Sequence, residues 1–436
     1  MERRIDHPGR MWLERLMSNT YKFPEDFIWA TATAAHQVEG GNTNNDVWVM
    51  EQTPHSMFRE KSGEACDHFN RYPEDIRMLA DLGFNSYRFS IEWSRVEPEP
   101  GVYSQEALSH YRRMLQCCYD NGLTPMVTLH HFTSPIWLLK DGGWQSAETP
   151  GRFADYASLV AGSLGDLISR ICTINEANIG RVLTANGTMP PLHVLQASKS
   201  WQEASAVIGV TAEEFLPFMF TVTDQAREIV MQAHHMAVAE IRRINPDIQC
   251  GITLAVDDII AVEGGVQLAE QHRREVNKVY LEELKDDDFV GVQSYTRHRF
   301  DNNGPVEPEQ GVELTQMGYE FWPESLEASI RVAHAVSGLP VLVTENGIAT
   351  QDDGRRKEFI HRALQGVGRC IDDGVPVLGY TYWSAFDNFE WMLGYGPTFG
   401  LIAVNRSTQE RTAKDSARWL GDVARSGFMQ PGGAWL

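Results

Sequence analysis

A chain of 436 residues with 42% hydrophobic and 22% charged residues has the make-up of a well-packed enzyme, long enough for roughly two or three domains or for one α/β barrel. A formal charge of −21 argues against nucleic acid or an anionic membrane as partner. Six dispersed cysteines (Cys66, Cys117, Cys118, Cys172, Cys250, Cys370) form neither a disulfide framework nor a zinc spacing, which fits a reducing, cytoplasmic compartment. No apolar run is long enough to span a bilayer.

Residues 1–20 open on Glu2-Arg3-Arg4 with no apolar core and no small-residue cleavage site behind it. They read as an extension rather than a secretory signal, with Met17 as an alternative start. From Phe27 onward strands and helices alternate. Phe27 to Ala34 is a first strand, leading into His36-Gln37; a helix follows from Pro73 to Leu82, with the proline in its first turn. Asn85 to Ser90 is a second strand carrying Arg88, and Gln105 to Asn121 a helix with Leu108, Tyr111, Leu115 and Cys118 on one face and Gly122 as its stop. Thr124 to Leu129 runs into His130-His131. A helix from Arg152 to Leu167 precedes a fourth strand, Ile168 to Ile174, which delivers Asn175 and Glu176. Then come a helix (Asp224 to Ile244), a strand (Gln249 to Val256), a charged helix (Glu270 to Leu284) and a strand (Phe289 to Ser294) that hands over to Tyr295. A helix from Ser325 to Val336 leads to Val341-Leu342-Val343-Thr344-Glu345, broken at once by Asn346-Gly347. Arg355 to Asp373 is helix, Val377 to Trp383 an eighth strand and Lys414 to Ala424 a last helix.

Eight strands alternating with helices predict a parallel sheet, most economically a single closed (β/α)8 TIM barrel over residues 21–425, with a tail at 426–436. A doubly wound open sheet would want a glycine-rich phosphate turn after the first strand, and Ala32-Thr33-Ala34-Ala35 is not one. The least regular piece, 180–223, leaves the strand end that bears Glu176 and is expected to cover part of the entrance.

The polar residues collect at strand ends: Gln37, Arg88, His131, Asn175, Glu176, Tyr295, Glu345 and Trp383. In a barrel all of these face one rim, where active sites sit. Two carboxylates there, Glu176 and Glu345, suit acid and nucleophile chemistry at a sugar's anomeric carbon. Each taken alone also reads as a helix-capping acid.

The chain resembles glycoside hydrolase family 1, the β-glucosidase family, from Phe23 to Leu420. The resemblance rests on Phe23-Pro24-Glu25-Asp26-Phe27, Gln37-Val38-Glu39-Gly40, Cys66-Asp67-His68 and Tyr87-Arg88-Phe89-Ser90-Ile91. Thr173-Ile174-Asn175-Glu176, Thr344-Glu345-Asn346-Gly347, Asp387-Asn388-Phe389-Glu390-Trp391 and Phe399-Gly400-Leu401 follow in order. It implies a retaining mechanism in which Glu345 is the nucleophile and Glu176 the acid/base. Arg88 and Tyr295 would keep Glu345 ionised, and the Glu345 anion would keep Glu176 protonated. It further implies that Gln37, His131, Asn175, Glu390 and Trp391 bind the sugar hydroxyls over a Trp383 platform, with Gln293 and Phe399 supporting.

Four departures stand out. Ala177 replaces the family's usual proline and is expected to loosen that loop. Phe132 replaces a tryptophan, losing a donor. Gln293 stands for an asparagine, putting its polar contact in doubt, and Asn178 leaves the leaving-group side open. Glu390 would repel a phosphate and Gly396-Pro397-Thr398 offers no cation, so an unphosphorylated sugar is favoured. The expected activity is therefore that of a β-glucosidase on cellobiose, short or aryl β-glucosides, with β-galactosidase or β-fucosidase side activity. No cofactor and no metal are called for, since His130-His131 and His234-His235 lack ligand spacing. The partner expected is a small-molecule β-glycoside, and a homo-oligomer is compatible with the chain. The alternative is a catalytically silent sugar-binding barrel.

Overall fold

The computed structural model describes residues 21–430. Eight parallel strands close into a barrel: β1 (Ile28–Ala32), β2 (Ser86–Ser90), β3 (Thr124–His130), β4 (Arg170–Ile174), β5 (Gln249–Ala255), β6 (Phe289–Gln293), β7 (Val341–Asn346) and β8 (Val377–Trp383). Each pairs with its neighbours in chain order, and β8 returns to β1. The expected (β/α)8 barrel is the fold. Its strands are buried along almost their whole length, which is why they read as continuous apolar runs rather than alternating ones.

Eight helices follow the strands in turn: α1 (His68–Leu82), α2 (Gln105–Asp120), α3 (Thr149–Leu164), α4 (Asp224–Ile244), α5 (Val266–Arg273), α6 (Ser325–Ser337), α7 (Asp353–Asp372) and α8 (Asp415–Ser426). Side chains cap α2, α4 and α7, where Ser104, Thr223 and Asp352 accept first-turn N–H groups. Helix α1 starts earlier than its proline suggested, leaving Pro73 inside. His68 Nδ1 lies 2.7 Å from Asp75 Oδ2, and Asp75 in turn takes Arg411 Nε at 2.7 Å, so a buried ionic cluster extends the helix past its own local signal. The predicted charged helix at 270–284 is broken into α5, a π turn at Arg274–Lys278 and a short Val279–Leu281 helix.

Inside the barrel Met126, Cys172, Phe289 and Leu342, from four different strands, form a small apolar plug of their own. Arg88 sits beside it, buried, with its Nε donating to Thr128 Oγ1 at 3.0 Å. The chain does not turn loose at 426. Phe428–Met429 pairs antiparallel with Tyr21–Lys22, so backbone hydrogen bonding carries the ordered body past the expected tail boundary. The extension at 1–20 and the Gly-Gly tail at 431–436 lie outside the described residues. Among the described residues no helix is long and apolar enough to cross a membrane.

Candidate active site

All the predicted strand-end residues meet at the carboxyl end of the barrel. Nine of the twelve site candidates line one cavity of about 420 Å³: His131, Glu176, Gln293, Tyr295, Glu345, Trp383, Glu390, Trp391 and Phe399. Arg88, Asn175 and Gln37 stand behind its wall, reaching it through hydrogen bonds. Glu176 and Glu345 are 8% and 4% exposed, so both acids are nearly dry.

Glu345 is brought in by an irregularity in pairing. Leu342 joins the interior plug, so strict alternation would turn Glu345 outward; the register shifts between Val343 and Glu345 against β6. The carboxylate then meets three donors. Arg88 Nη1 lies 2.7 Å and Gln293 Nε2 2.8 Å from Oε1, and the Tyr295 hydroxyl donates to Oε2 at 2.6 Å. Glu176 is held in a left-handed backbone conformation (φ 42°), its N–H donating to Thr253 Oγ1 at 3.0 Å. Phe132 and Trp391, also on the cavity wall, share that rare conformation for residues with a side chain, as strained sites often do.

These surroundings separate the two acids. Burial pushes Glu176 well above the usual carboxylate range, with the Glu345 charge second and Asp257 third. Burial also raises Glu345, but Arg88 and the Tyr295 hydroxyl pull it back. The Glu345 charge does raise Glu176, as expected, and loss of water adds a larger push in the same direction. Glu390 is pushed up to about 8 by burial and by Glu345, partly offset by Trp383 and Gln37. His131 is held far below its ordinary value by burial and by Arg88, and is neutral; its ring stacks on Trp383 at 5.6 Å.

Five buried polar atoms of this cluster have no hydrogen-bond partner among the described residues: Gln37 Oε1, His131 Nδ1, Asn175 Nδ2, Gln293 Oε1 and Glu390 Oε2. Asn175 shows why. Its Oδ1 is taken by Arg88 Nη2 at 2.5 Å, Gln293 Nε2 at 2.7 Å and Thr253 Oγ1 at 3.2 Å, which leaves the amide nitrogen as the free end. Gln37 is anchored the other way, its Nε2 donating to Phe389 O at 2.7 Å. Orphaned buried groups are costly, so five around one cavity mark a place built to hold a polar molecule.

Two of the expected weaknesses are overturned. The Ala177 N–H donates to Thr253 O at 3.1 Å, a bond a proline could not make, so that loop is tied rather than loosened. Gln293 keeps its contact, bridging Asn175 and Glu345. Phe132 does present only a hydrocarbon face to the cavity. Asn178 faces away from it: buried, it donates to Ala255 O and Val276 O at 2.8 Å each and accepts from Ala255 N–H. Sequence reading missed Thr253, Asp257 and Tyr319. Asp257 lines the cavity, accepts from the Tyr295 N–H at 3.1 Å and pairs with His298 Nε2 at 3.0 Å. It sits two residues past β5, on the one strand whose end was not credited with a site residue, and that omission was the available signal. The stretch at 180–223 is largely helical (Ile179–Ala185, Leu192–Gln196, Lys199–Ile208), and it does wall the entrance through Val182, Leu183, Asn186, Thr188 and Met219. A larger depression of about 640 Å³ at the other end of the barrel is lined by strand starts and holds none of the site candidates. Among the described residues no group of three or more His, Cys, Asp or Glu side chains is placed to hold a metal ion.

Two buried acids in unequal electrostatic settings, across one polar cavity at the carboxyl rim of a (β/α)8 barrel, define a glycoside hydrolase. The chain belongs to glycosyl hydrolase family 1: that family's profile matches residues 19–283 and 278–428. Among its relatives, β-glucosidase A of Thermotoga maritima is 31% identical over 94% of this chain and 100% of its own length. A bifunctional β-D-glucosidase/β-D-fucosidase of Bifidobacterium breve is 30% identical over 92% and 97%. The crystal structure of a β-glycosidase superposes with a TM-score of 0.91 at 49% identity, covering 94% of this chain and 99% of that one.

Proposed function

We propose that this glycoside hydrolase is a retaining β-glucosidase acting on small, unphosphorylated β-glucosides. Glu345 attacks the anomeric carbon while Glu176 gives its proton to the departing glycosidic oxygen. A glycosyl ester on Glu345 and a free alcohol result. Water, deprotonated by Glu176, then attacks the same carbon, and the ester bond breaks to return Glu345. The observation that carries this reading is the unequal treatment of the two acids: three donors hold Glu345 ready as an anion, whereas Glu176 is left in a dry site beside other carboxylates. Once Glu345 is esterified its charge is gone, and Glu176 becomes able to act as base.

The five unpaired polar atoms suit one hydroxyl-rich ring. In this reading Asn175 Nδ2 donates to the 2-OH, His131, Gln37 and Trp391 meet other hydroxyls, and Glu390 accepts from the C4–C6 side, over the Trp383 platform. Among the described residues the lining contains no lysine or arginine, so a 6-phosphate would find no cation there. Activity on β-D-fucosides, which lack the 6-hydroxyl and are inverted at C4, is supported by the bifunctional relative.

The test is a panel of nitrophenyl glycosides with the wild type and Glu345→Ala. We expect Glu345→Ala to lose about 10⁴-fold or more in kcat and azide to restore turnover, yielding the α-glycosyl azide. Undiminished turnover in the variant, or a β-glycosyl azide, would remove Glu345 from the nucleophile's role.

A further inference from the structure

At the amino end of the barrel the strand starts frame the depression of about 640 Å³ that lies away from the two acids. Arg170, the first residue of β4, lines it, with its guanidinium carbon 6.0 Å from the centre of the Phe289 ring in the apolar plug. Of its three nitrogens only Nη2 makes a hydrogen bond among the described residues, to Gln249 Oε1, and Nε is buried without a partner. Every other described arginine that is not exposed is ion-paired to a carboxylate; Arg170 is not. A charge drawn out of water without a counter-charge is costly. Burial accordingly holds the Arg170 guanidinium below the ordinary arginine range.

The surroundings add a donor rather than an acceptor. Gln249 opens β5 opposite Arg170, and with Oε1 given to the guanidinium its amide nitrogen is left without a partner among the described residues. The other polar side chains nearby are spent. Asn85 donates to Phe27 O and accepts from the Trp29 N–H, and the Ser86 hydroxyl donates to Thr124 O. Two carboxylates stand in the neighbourhood and neither pairs with Arg170. Asp288 accepts from the Cys250 N–H at 2.8 Å and from Arg242 at 3.1 Å, while Asp26 is exposed on the lining. Two adjacent donors, one of them charged, that face an open cavity with no acceptor of their own are the complement of an oxyanion. We propose that the amino-end depression binds a small oxyanion, free phosphate or the phosphate of a monoester, through Arg170 and Gln249. The site stands apart from the glucosidase reading, being at the opposite end of the barrel from Glu176 and Glu345.

The test follows phosphorus NMR line broadening of inorganic phosphate and of phenyl phosphate, each titrated with the whole protein at fixed ionic strength, chloride making up the balance. We expect saturable broadening of at least one of them, and the tighter of the two identifies the source of the phosphate. Arg170→Gln should weaken binding about tenfold or more, the worth of a hydrogen bond to a charged group. Gln249→Glu changes an exposed side chain and leaves the core untouched, so it tests the site even if loss of the arginine unfolds the chain. It sets a carboxylate against Arg170 and should abolish binding. Turnover of nitrophenyl β-glucoside should be unchanged in both variants, which checks the fold. No saturable broadening of either phosphate, or broadening undiminished in Gln249→Glu, would overturn the proposal and leave the glucosidase reading intact.

Discussion

Gln293 shows what one methylene does in this site. A shorter amide is the family's usual residue there, yet the longer one reaches two acceptors at once, Asn175 Oδ1 and Glu345 Oε1. It thereby fixes the Asn175 amide with its nitrogen free and supplies Glu345 with a third donor. Gln293→Leu should lower kcat/KM about tenfold to a hundredfold, as loss of one preorganised donor does. Removing a donor to a carboxylate favours its protonated form. The acid limb of the kcat/KM profile should therefore move to higher pH, measured from initial rates between about pH 4 and 8; an unmoved limb would confine Gln293 to a packing role. Glu176 depends on a quieter neighbour, Thr253, whose hydroxyl accepts its N–H and whose carbonyl accepts that of Ala177. Ala177→Pro, a return to the family's usual residue, removes the second of these bonds. It should cost about 1 kcal/mol in stability by denaturant titration.

Strand ends, more than strands, decide the chemistry. β7 and β8 close on one another so tightly that a Cβ on Gly347 would collide with the Trp383 carbonyl oxygen. Asn346 locks the same junction, donating to Ser294 O at 2.6 Å and accepting from the Tyr380 hydroxyl at 2.9 Å. Asn-Gly here is thus more than a strand breaker; it lets the strand that bears Glu345 and the strand that ends in Trp383 share one edge. Gly347→Ala should push the two apart and lower kcat/KM for nitrophenyl β-glucoside about a hundredfold with the barrel still folded by circular dichroism. The wall helix Ile179–Ala185 is positioned by Asn178, whose side chain is clamped to β5 and to the carbonyl of Val276 in the π turn after α5. An element far along the chain therefore sets where this wall of the cavity stands.

At the scale of the whole molecule, buried titratable groups shape stability. Burial holds His110 and His272 down to about 4 and His130 to about 3. The unfolded chain protonates histidine near 6.5, so the stability these three lend is present above that value and lost as pH falls toward 4. Asp46 and Glu390 act in the opposite sense: burial lifts them to about 7 and about 8, above their unfolded values near 4. Their contribution is complete at low pH and drains away as pH rises through 7 and 8. Between 4 and 6.5 the two sets oppose each other; above 6.5 only the carboxyls titrate. The Tm should therefore fall by about 2–5 °C from pH 6.5 to 8.5 in scanning calorimetry, and Glu390→Gln combined with Asp46→Asn should flatten that decline.

Much of the architecture was legible because barrel strands buried on both faces leave unbroken apolar runs, and Val377–Trp383 and the helix Asp224–Ile244 have the bounds read from sequence. The two acids were legible because each stands where such a run stops. Local order alone determined this much: periodicity and the residues that interrupt it are properties of the chain itself. Other features depended on partners distant along it. Helix α1 begins at His68 because of Asp75 and Arg411, and Glu345 faces inward because β6 and β7 slip register. The free end of Asn175 is its nitrogen because three strands supply donors to its oxygen, and the entrance wall exists because loops after β4, β6 and β8 meet at one opening. A carboxyl's proton affinity is set by the water it loses and the charges it gains, and both are fixed only when the barrel closes.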